Sequence, residues 1–217
     1  MQPYFFPYLG YFRLLKNVDK FVFLDNVQFN RRGWVHRNIF SDSNGENTWV
    51  TLPLKKKKRE DTTIRDLEFR ADSITDLHLQ FRKTSIYNEM VVSRDLSKIV
   101  FDSEIPVIEY LIRGLEYILK ELHLNVDITL ASNLAIDQTL RGESRIIEIL
   151  KNLGAKKYIN ASGGTSLYNI DNFYHHGIEI KFLTEYQGPK ISMLERILKE
   201  DIIQVRRDLT SSTSYQN

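Results

Sequence analysis

The segment at positions 30–38, NRRGWVHRN, gathers side chains that bind phosphate groups and stack on flat rings. Arg31 and Arg37 can each hold a diphosphate through paired hydrogen bonds, and the Trp34 indole can stack on a base or sugar face. His36 ordinarily titrates near neutral pH and would suit a general base, while Asn38 adds an amide. We therefore expect ligand binding here, the alternative being an edge strand whose arginines are merely exposed.

Two aspartates bracket the apolar run Phe21–Leu24. Asp25 follows the run, so its carboxylate is expected at the carboxyl end of a strand, where it could accept a proton from an amine or bind a hydroxyl group. Asp19 precedes the run and fits a turn residue. Asp25 and His36 are accordingly the candidate catalytic residues.

The opening stretch, MQPYFFPYLGYF, holds six aromatic residues and two prolines. Pro3 and Pro7 fix φ and lack an N–H, which disfavours a helix interior or a central strand and indicates a stiff loop. Such a loop either binds a ligand or packs as an N-terminal cap. For the binding alternative we expect a pocket, shared with Asp25 and Trp34, whose loop residues are Gln2, Tyr4, Phe6, Tyr8 and Tyr11.

A second candidate site lies at positions 160–168, NASGGTSLY. Gly163 and Gly164 let the backbone approach a ligand closely, and their amides could cradle an anion beside Asn160 and Tyr168. The spacing matches neither a P-loop nor a dinucleotide-binding fingerprint. The neighbouring histidines at 175 and 176 are not accompanied by other ligand residues at the spacing of a metal site, so we expect no metal site.

Alternating helix and strand patterns must position these residues. Apolar runs such as KFVFL predict buried strands, the Asn-Gly turn in DSNGEN predicts a hairpin, and residues 104–123 show the strongest helical periodicity. The alternation predicts one α/β domain over residues 1–217, with a mainly parallel sheet flanked by helices and a frayed tail at 210–217. Strand, proline-aromatic loop, helix and strand in this order also resemble nucleotidyltransferase-like (Rossmann-like) enzymes.

Composition narrows the function class. The chain has no cysteine, which excludes disulfides and thiolate chemistry and favours a cytoplasmic location. A net charge of +2 argues against binding of nucleic acid over an extended surface. The basic run at 55–61 forms either a solvated loop or a surface that faces phosphate. No uninterrupted apolar stretch is long enough for a membrane span.

The motifs QPYFFPYLGYF, VDKFVFLDNVQFNRRGWVHRN, WVTLP, LGAKKYIN and GIEIKFL, in this order, resemble the WbqC-like family. The resemblance implies a short hydrophobic strand ahead of the Gln-Pro pair. Because the sequence starts at Met1, we expect either that this strand is missing or that the sequence begins late. This sequence has His36 where the family commonly has Asn, and Glu195 at a position where the family pattern has Asp.

The resemblance also implies a role in bacterial O-antigen and other surface-glycan (lipopolysaccharide) biosynthesis. The implied activity is transfer of an aminoacyl group such as glycine to the amine of a nucleotide sugar, with ATP or aminoacyl-tRNA as the open alternatives for activation. A non-catalytic module that binds a glycan or nucleotide sugar for a partner enzyme fits the same residues.

Overall fold

The computed structural model describes residues 1–58 and 62–216. Positions 59–61, which complete the basic run, and Asn217 lie outside the described residues. The described chain contains six strands, β1 to β6, in the order Lys20–Phe23, Arg37–Ser41, Asn47–Thr51, Asp127–Leu130, Lys157–Asn160 and Glu179–Phe182. Its helices, α1 to α9, are Leu9–Leu15, Ser73–Phe81, Tyr87–Val92, Arg94–Val100, Val107–Leu122, Gly142–Asn152, Ile170–His175, Met193–Lys199 and Ile202–Ser211.

The mixed α/β class is confirmed, but the described strands form three separate two-stranded sheets instead of one. β1 pairs with β4 and β5 pairs with β6, both in parallel, whereas β2 and β3 form the expected antiparallel hairpin. Gly45 takes a positive φ of 81° in the turn of that hairpin, as the Asn-Gly signal predicts.

Met1 lies along the free edge of β1. Its α-amino group donates to the Val22 carbonyl at 2.7 Å, and its carbonyl accepts from the Leu24 N–H at 2.9 Å. Donation to one residue and acceptance from the residue two positions later is the parallel pairing pattern, with Met1 opposite Phe23. Residue 1 therefore continues the parallel sheet on the side opposite β4.

Helix α5 runs through the core and was the clearest helical prediction. Pro106 caps its start, His123 ends it in the left-handed conformation, and its buried face includes Tyr110 and Leu115. Gly114 on this face allows close contact with the Phe6 ring, because a Cβ at position 114 would lie 2.9 Å from Phe6 Cε1.

The C-terminal segment packs back onto the fold. Helix α9 ends at Ser211, beyond which the Thr184 N–H donates to the Ser214 carbonyl and the Gln216 N–H to the Phe182 carbonyl, both at 2.9 Å. Of the segment expected to fray, residues 214–216 are thus hydrogen-bonded to the end of β6. Within the described ranges no helix is both long and apolar enough to cross a membrane.

Candidate functional site

The N-terminal loop is held by hydrogen bonds to two distant segments, residues 34–38 and Ser192. The buried Asn38 amide donates to the carbonyls of Phe5 (3.1 Å) and Phe6 (2.5 Å), and the Ser192 hydroxyl donates to Phe6 at 2.8 Å. The Phe5 N–H donates to the Trp34 carbonyl at 3.0 Å. These bonds hold Phe6 at a φ of 41°, a left-handed conformation that is costly for an aromatic residue. Asn38 therefore anchors this loop from inside the protein.

The loop residues divide into two groups. Phe6 and Tyr11 are 2% and 1% exposed, lie in the core and line neither of the two cavities described below. The Tyr11 hydroxyl donates to the Gln2 carbonyl at 2.8 Å, so it is already partnered. Phe6 and Tyr11 therefore pack as parts of an N-terminal cap, which was the alternative to a ligand-binding loop. Tyr4 and Tyr8 remain partly exposed.

Tyr8 belongs to a continuous row of rings, which we call the aromatic strip: Tyr186, Tyr8, Trp34 and Trp49. Successive ring centroids are 5.7, 5.7 and 5.6 Å apart. The guanidinium carbon of Arg37 lies 4.6 Å from the Trp49 centroid and extends the row with a cation. Trp49 is 45% exposed, which leaves its ring available for stacking. Both tryptophans of the chain lie in this strip.

A second feature, the hairpin cavity, lies beside the β2–β3 hairpin and has a volume of about 190 Å³. Its lining includes His36, Arg31 and three consecutive lysines, Lys55 to Lys57, above apolar side chains such as Leu52. Sequence reasoning grouped Arg31 with His36 but did not connect them to the lysine run. The connection depends on the fold, because the Lys55 N–H donates to the Glu68 carbonyl and thereby positions the run.

The surroundings of His36 at the hairpin cavity strongly lower its pKa. Burial and the positive charges of Arg37 and Arg31 lower the pKa of His36 to about 4. The side chain is therefore neutral at pH 7 and a weaker base than an ordinary histidine. Its buried Nδ1 atom has no hydrogen-bond partner among the described residues.

A larger cavity of about 570 Å³, the sheet cavity, separates β1 from β5. Four residues expected in the binding site line it together: Gln2, Tyr4, Asn160 and Tyr168. Apolar side chains of α1 and α6 enclose it, including Leu14 and Ile149. Burial raises the pKa of Tyr4, so its hydroxyl stays protonated at neutral pH.

The two glycines after β5 differ in their surroundings. At position 164 a Cβ would lie 2.5 Å from Asn160 Nδ2, so a larger residue would displace the Asn160 amide. At position 163 a Cβ would meet nothing within 4 Å. The turn is a short 3-10 helix at Ser162–Gly164, which places both glycines beyond the carboxyl end of β5.

Asp25 occupies the equivalent place after β1. It is 1% exposed, and its carboxylate accepts from the Ser132 N–H at 3.0 Å, directly beyond β4. Nearby Arg145, which is 3% exposed, donates to the side chain of Asn26. Asp25 lines neither cavity. It is held inside a polar cluster at the carboxyl ends of two parallel strands.

The expected site residues therefore do not share one pocket. Phe6, Tyr11 and Asn38 are buried in the core, and the others lie in the aromatic strip, the hairpin cavity, the sheet cavity, the Asp25 cluster or the turn after β5. Sequence reasoning missed Trp49, Tyr186 and Arg145. Alternation along NTWVT could have indicated that Trp49 faces outward beside Arg37, whereas Tyr186 and Arg145 gave no comparable signal. No group of three His, Asp or Glu side chains suited to a metal ion occurs in residues 1–58 and 62–216.

Comparisons with known proteins identify one family. A family model described as the WbqC-like protein family matches residues 2–192. A relative named "Uncharacterized protein Rv1507c", from Mycobacterium tuberculosis, is 36% identical over 66 residues, which is 30% of this chain and 28% of that protein. The chain thus spans less than a third of the length of the relative that it matches. No solved structure matches the chain.

Proposed function

The chain belongs to the WbqC-like protein family, and from that premise we propose that it is a cytoplasmic enzyme of nucleotide-activated amino-sugar metabolism in bacterial surface-glycan biosynthesis. It would transfer an aminoacyl group such as glycine to the amine of a nucleotide sugar. The observation that supports this most is the aromatic strip ending at Arg37. A sugar or base can stack on such rings while the arginine contacts a phosphate.

In the proposed reaction the unprotonated sugar amine attacks the acyl carbon of the donor. A C–N bond forms, the bond from the acyl carbon to the leaving group breaks, and the leaving group departs with the electron pair. The amine proton passes to a base, for which Asp25 and His36 are the candidates. The donor is activated by ATP or by attachment to tRNA.

We further propose that the sheet cavity can accommodate one additional parallel strand beside β1, in line with Met1. Two observations support it: Met1 already pairs in parallel register with β1, and β1 and β5 both line this cavity. One strand there would join two of the small sheets into a five-stranded parallel sheet, in the order β4, β1, additional strand, β5 and β6. That sheet would be Rossmann-like, and its carboxyl edge would carry Asp25, Asn160, Gly163 and Gly164 around the ligand crevice.

A non-catalytic module that binds a nucleotide sugar is the second candidate function. It is favoured by the low pKa of His36, which makes this side chain a weak base at pH 7, and by the burial of Asp25. Such a module would use the same aromatic strip and present its ligand to a partner enzyme.

Intrinsic fluorescence offers a direct binding test, because Trp34 and Trp49 both lie in the strip. UDP-linked amino sugars are expected to change the emission, and Trp34→Ala and Arg37→Ala are expected to weaken binding about tenfold or more while unfolding free energies change little. Tyr174→Ala, at a ring that is 79% exposed and outside the strip, is the matched control. If UDP-linked amino sugars bind with equal affinity to all four proteins, the proposed site is wrong.

Catalysis is tested separately by mass spectrometry. The protein is incubated with a UDP-linked amino sugar, glycine and ATP, and in a parallel reaction with glycyl-tRNA. A glycyl adduct on the sugar that disappears with Trp34→Ala supports the enzyme. Binding without any adduct from either donor supports the module.

A further inference from the structure

The hairpin cavity has an excess of positive charge. Four cationic side chains line it, namely Arg31, Lys55, Lys56 and Lys57. Within the described ranges, the one carboxylate that forms ion pairs with them is that of Glu68, which lies 2.7 Å from Lys55 Nζ and 2.5 Å from Lys57 Nζ. The charges of Arg31 and Lys56 therefore have no ion-pair partner in the described part of the chain.

The size and lining of the cavity suit a small anion. At ~30 Å³ per water molecule, a volume of about 190 Å³ corresponds to roughly six waters. Phe29, Leu52 and Leu67 form an apolar floor, and Thr51 contributes to the wall. An apolar floor lowers the local dielectric constant, so charges at the rim attract an ion more strongly than they would in water.

His36 provides an independent observation. Its ring lies edge to face on Phe29, with centroids 5.0 Å apart, and its Nδ1 atom is buried without a partner in the described structure. Burying a polar atom without a hydrogen bond is costly, and such an atom often marks the place of a ligand or ordered water. The charged groups around it are Arg37, Arg31 and the three lysines, with Glu68 as the described acidic neighbour.

We infer that the hairpin cavity binds a compact oxyanion, a phosphate or pyrophosphate group, through Arg31 and Lys56, next to the His36 ring in the cavity wall. The group could belong to free phosphate or to a nucleotide. The inference does not depend on the nucleotide sugar proposed above, because the cavity residues alone carry it.

Anion binding must be linked to the protonation of His36. The positive surroundings lower the pKa of His36 to about 4 in the free protein, and a bound dianion opposes that effect. By linkage, the anion binds more tightly when His36 is protonated, so the affinity rises as the pH falls toward the pKa of the complex.

Sulfate is a suitable probe because it remains a dianion throughout this pH range. In NMR titrations the His36 ring signal is identified by its absence from the spectrum of His36→Gln. The pKa of His36 is expected to rise by at least one unit at saturating sulfate. That shift corresponds to about tenfold tighter binding to the protonated form. An unchanged pKa of His36 at saturating sulfate would overturn the inference.

Charge removal gives a second test with a matched control. Lys56→Gln is expected to lower the affinity for sulfate and pyrophosphate about three- to tenfold. Lys98→Gln also removes an exposed positive charge, on α4 and outside the cavity, and should leave the affinity unchanged. Equal losses in both variants would indicate a diffuse charge effect and contradict a site in the cavity.

The source of the group is resolved by comparing inorganic phosphate, pyrophosphate and UDP, each followed through the His36 signal and through tryptophan emission. A shift of His36 by phosphate alone, without a change in emission, supports a site for free anions. Simultaneous responses to UDP indicate that the cavity receives the phosphates of a nucleotide on the strip. If UDP-linked sugars change the emission and no anion moves His36, the proposed function survives and this inference fails.

Discussion

Gly10 controls how closely two rings of the aromatic strip approach each other. A Cβ at position 10 would lie 2.4 Å from Tyr8 Cε2 and 3.0 Å from Tyr186 Cβ, so Gly10→Ala must displace the Tyr8 ring. We expect this variant to weaken nucleotide-sugar binding about tenfold, although alanine favours the α1 helix by ~0.5–1 kcal/mol. Tyr174→Ala, at an exposed ring outside the strip, is the control and should bind normally. Fluorescence titration of both variants provides the comparison, and equal affinities would exclude Tyr8 from the site.

His36 also makes stability depend on pH. Its pKa is about 4 in the folded protein, below an ordinary value of 6.5, so the unfolded chain binds more protons between these values. Its contribution to the free energy of unfolding is therefore complete above pH 6.5 and is lost as the pH falls toward 4. The α-amino group of Met1, whose pKa is lowered from 8.0 to about 5, acts in the same direction at higher pH.

Urea unfolding at pH 7 and pH 4.5 isolates the His36 term. The wild-type protein should lose more stability over this interval than His36→Gln, because the variant has no group to protonate at that position. The Met1 contribution is common to both proteins and cancels in the difference. Identical losses would mean that His36 is solvated in the folded protein.

The site residues show which of these features the sequence could predict. Side-chain chemistry made Trp34, Arg37 and Arg31 candidates, and the structure places them in the aromatic strip and at the hairpin cavity. Side-chain chemistry could not predict that Tyr8 is partly exposed and Phe6 buried. Both residues lie on one irregular loop, whose path is set by hydrogen bonds from Asn38 and Ser192. A shifted pKa such as that of His36 depends on neighbours brought in by the fold and has no local signature.

At the scale of elements, local patterns predicted most of the structure. Helix α5 and the β2–β3 hairpin follow from periodicity and from an Asn-Gly turn. The single parallel sheet was not observed, because strand partners are set by long-range contacts, and β1 and β5 are separated by the sheet cavity.

An N-terminal extension tests whether that cavity accepts a strand. Since Met1 lies opposite Phe23, the three residues before it would lie opposite Val22, Phe21 and Lys20. A Lys-Val-Ala-Ile-Val extension should make the protein more stable than an extension without apolar side chains, because its buried Val and Ile side chains contribute ~1.5–3 kcal/mol each and offset an ordering cost of ~1–2 kcal/mol per residue. It should also slow amide hydrogen exchange in β5, the edge that Met1 does not reach.

A Gly-Ser-Gly-Ser-Gly extension is the control for added length. It can form backbone bonds but has no apolar side chains to fill the cavity between α1 and α6. If the two extensions have equal effects, or if exchange in β5 does not change, the cavity does not take a strand. A small apolar ligand that protects β5 without any extension would identify a different occupant.

At the scale of the whole molecule, the C-terminal helices hold the N-terminal loop, although the family match ends at residue 192. The Met193 N–H donates to the Pro7 carbonyl at 2.9 Å, and Glu195 accepts from the Ser41 N–H at 2.7 Å, so the start of α8 contacts both the loop and the hairpin. Leu194 between them is fully buried. The N-terminal loop and the hairpin, which supply Tyr8 and Trp49 to the aromatic strip, are thus fixed by one helix.

Leu194→Ala should therefore lower both stability and ligand binding. Loss of a buried leucine costs ~2–5 kcal/mol, and the cavity left behind lets α8 move away from Pro7. Ile203→Ala on α9, at a side chain that is 53% exposed, should change stability by less than about 0.5 kcal/mol and leave binding unchanged. Leu194→Met, which keeps the volume, should retain most of both properties. Leu194→Ala could instead be destabilised and still bind UDP-linked amino sugars normally at a temperature where it is folded. That result would mean that the strip is positioned without α8 and that the Asn38 hydrogen bonds are sufficient to hold the loop.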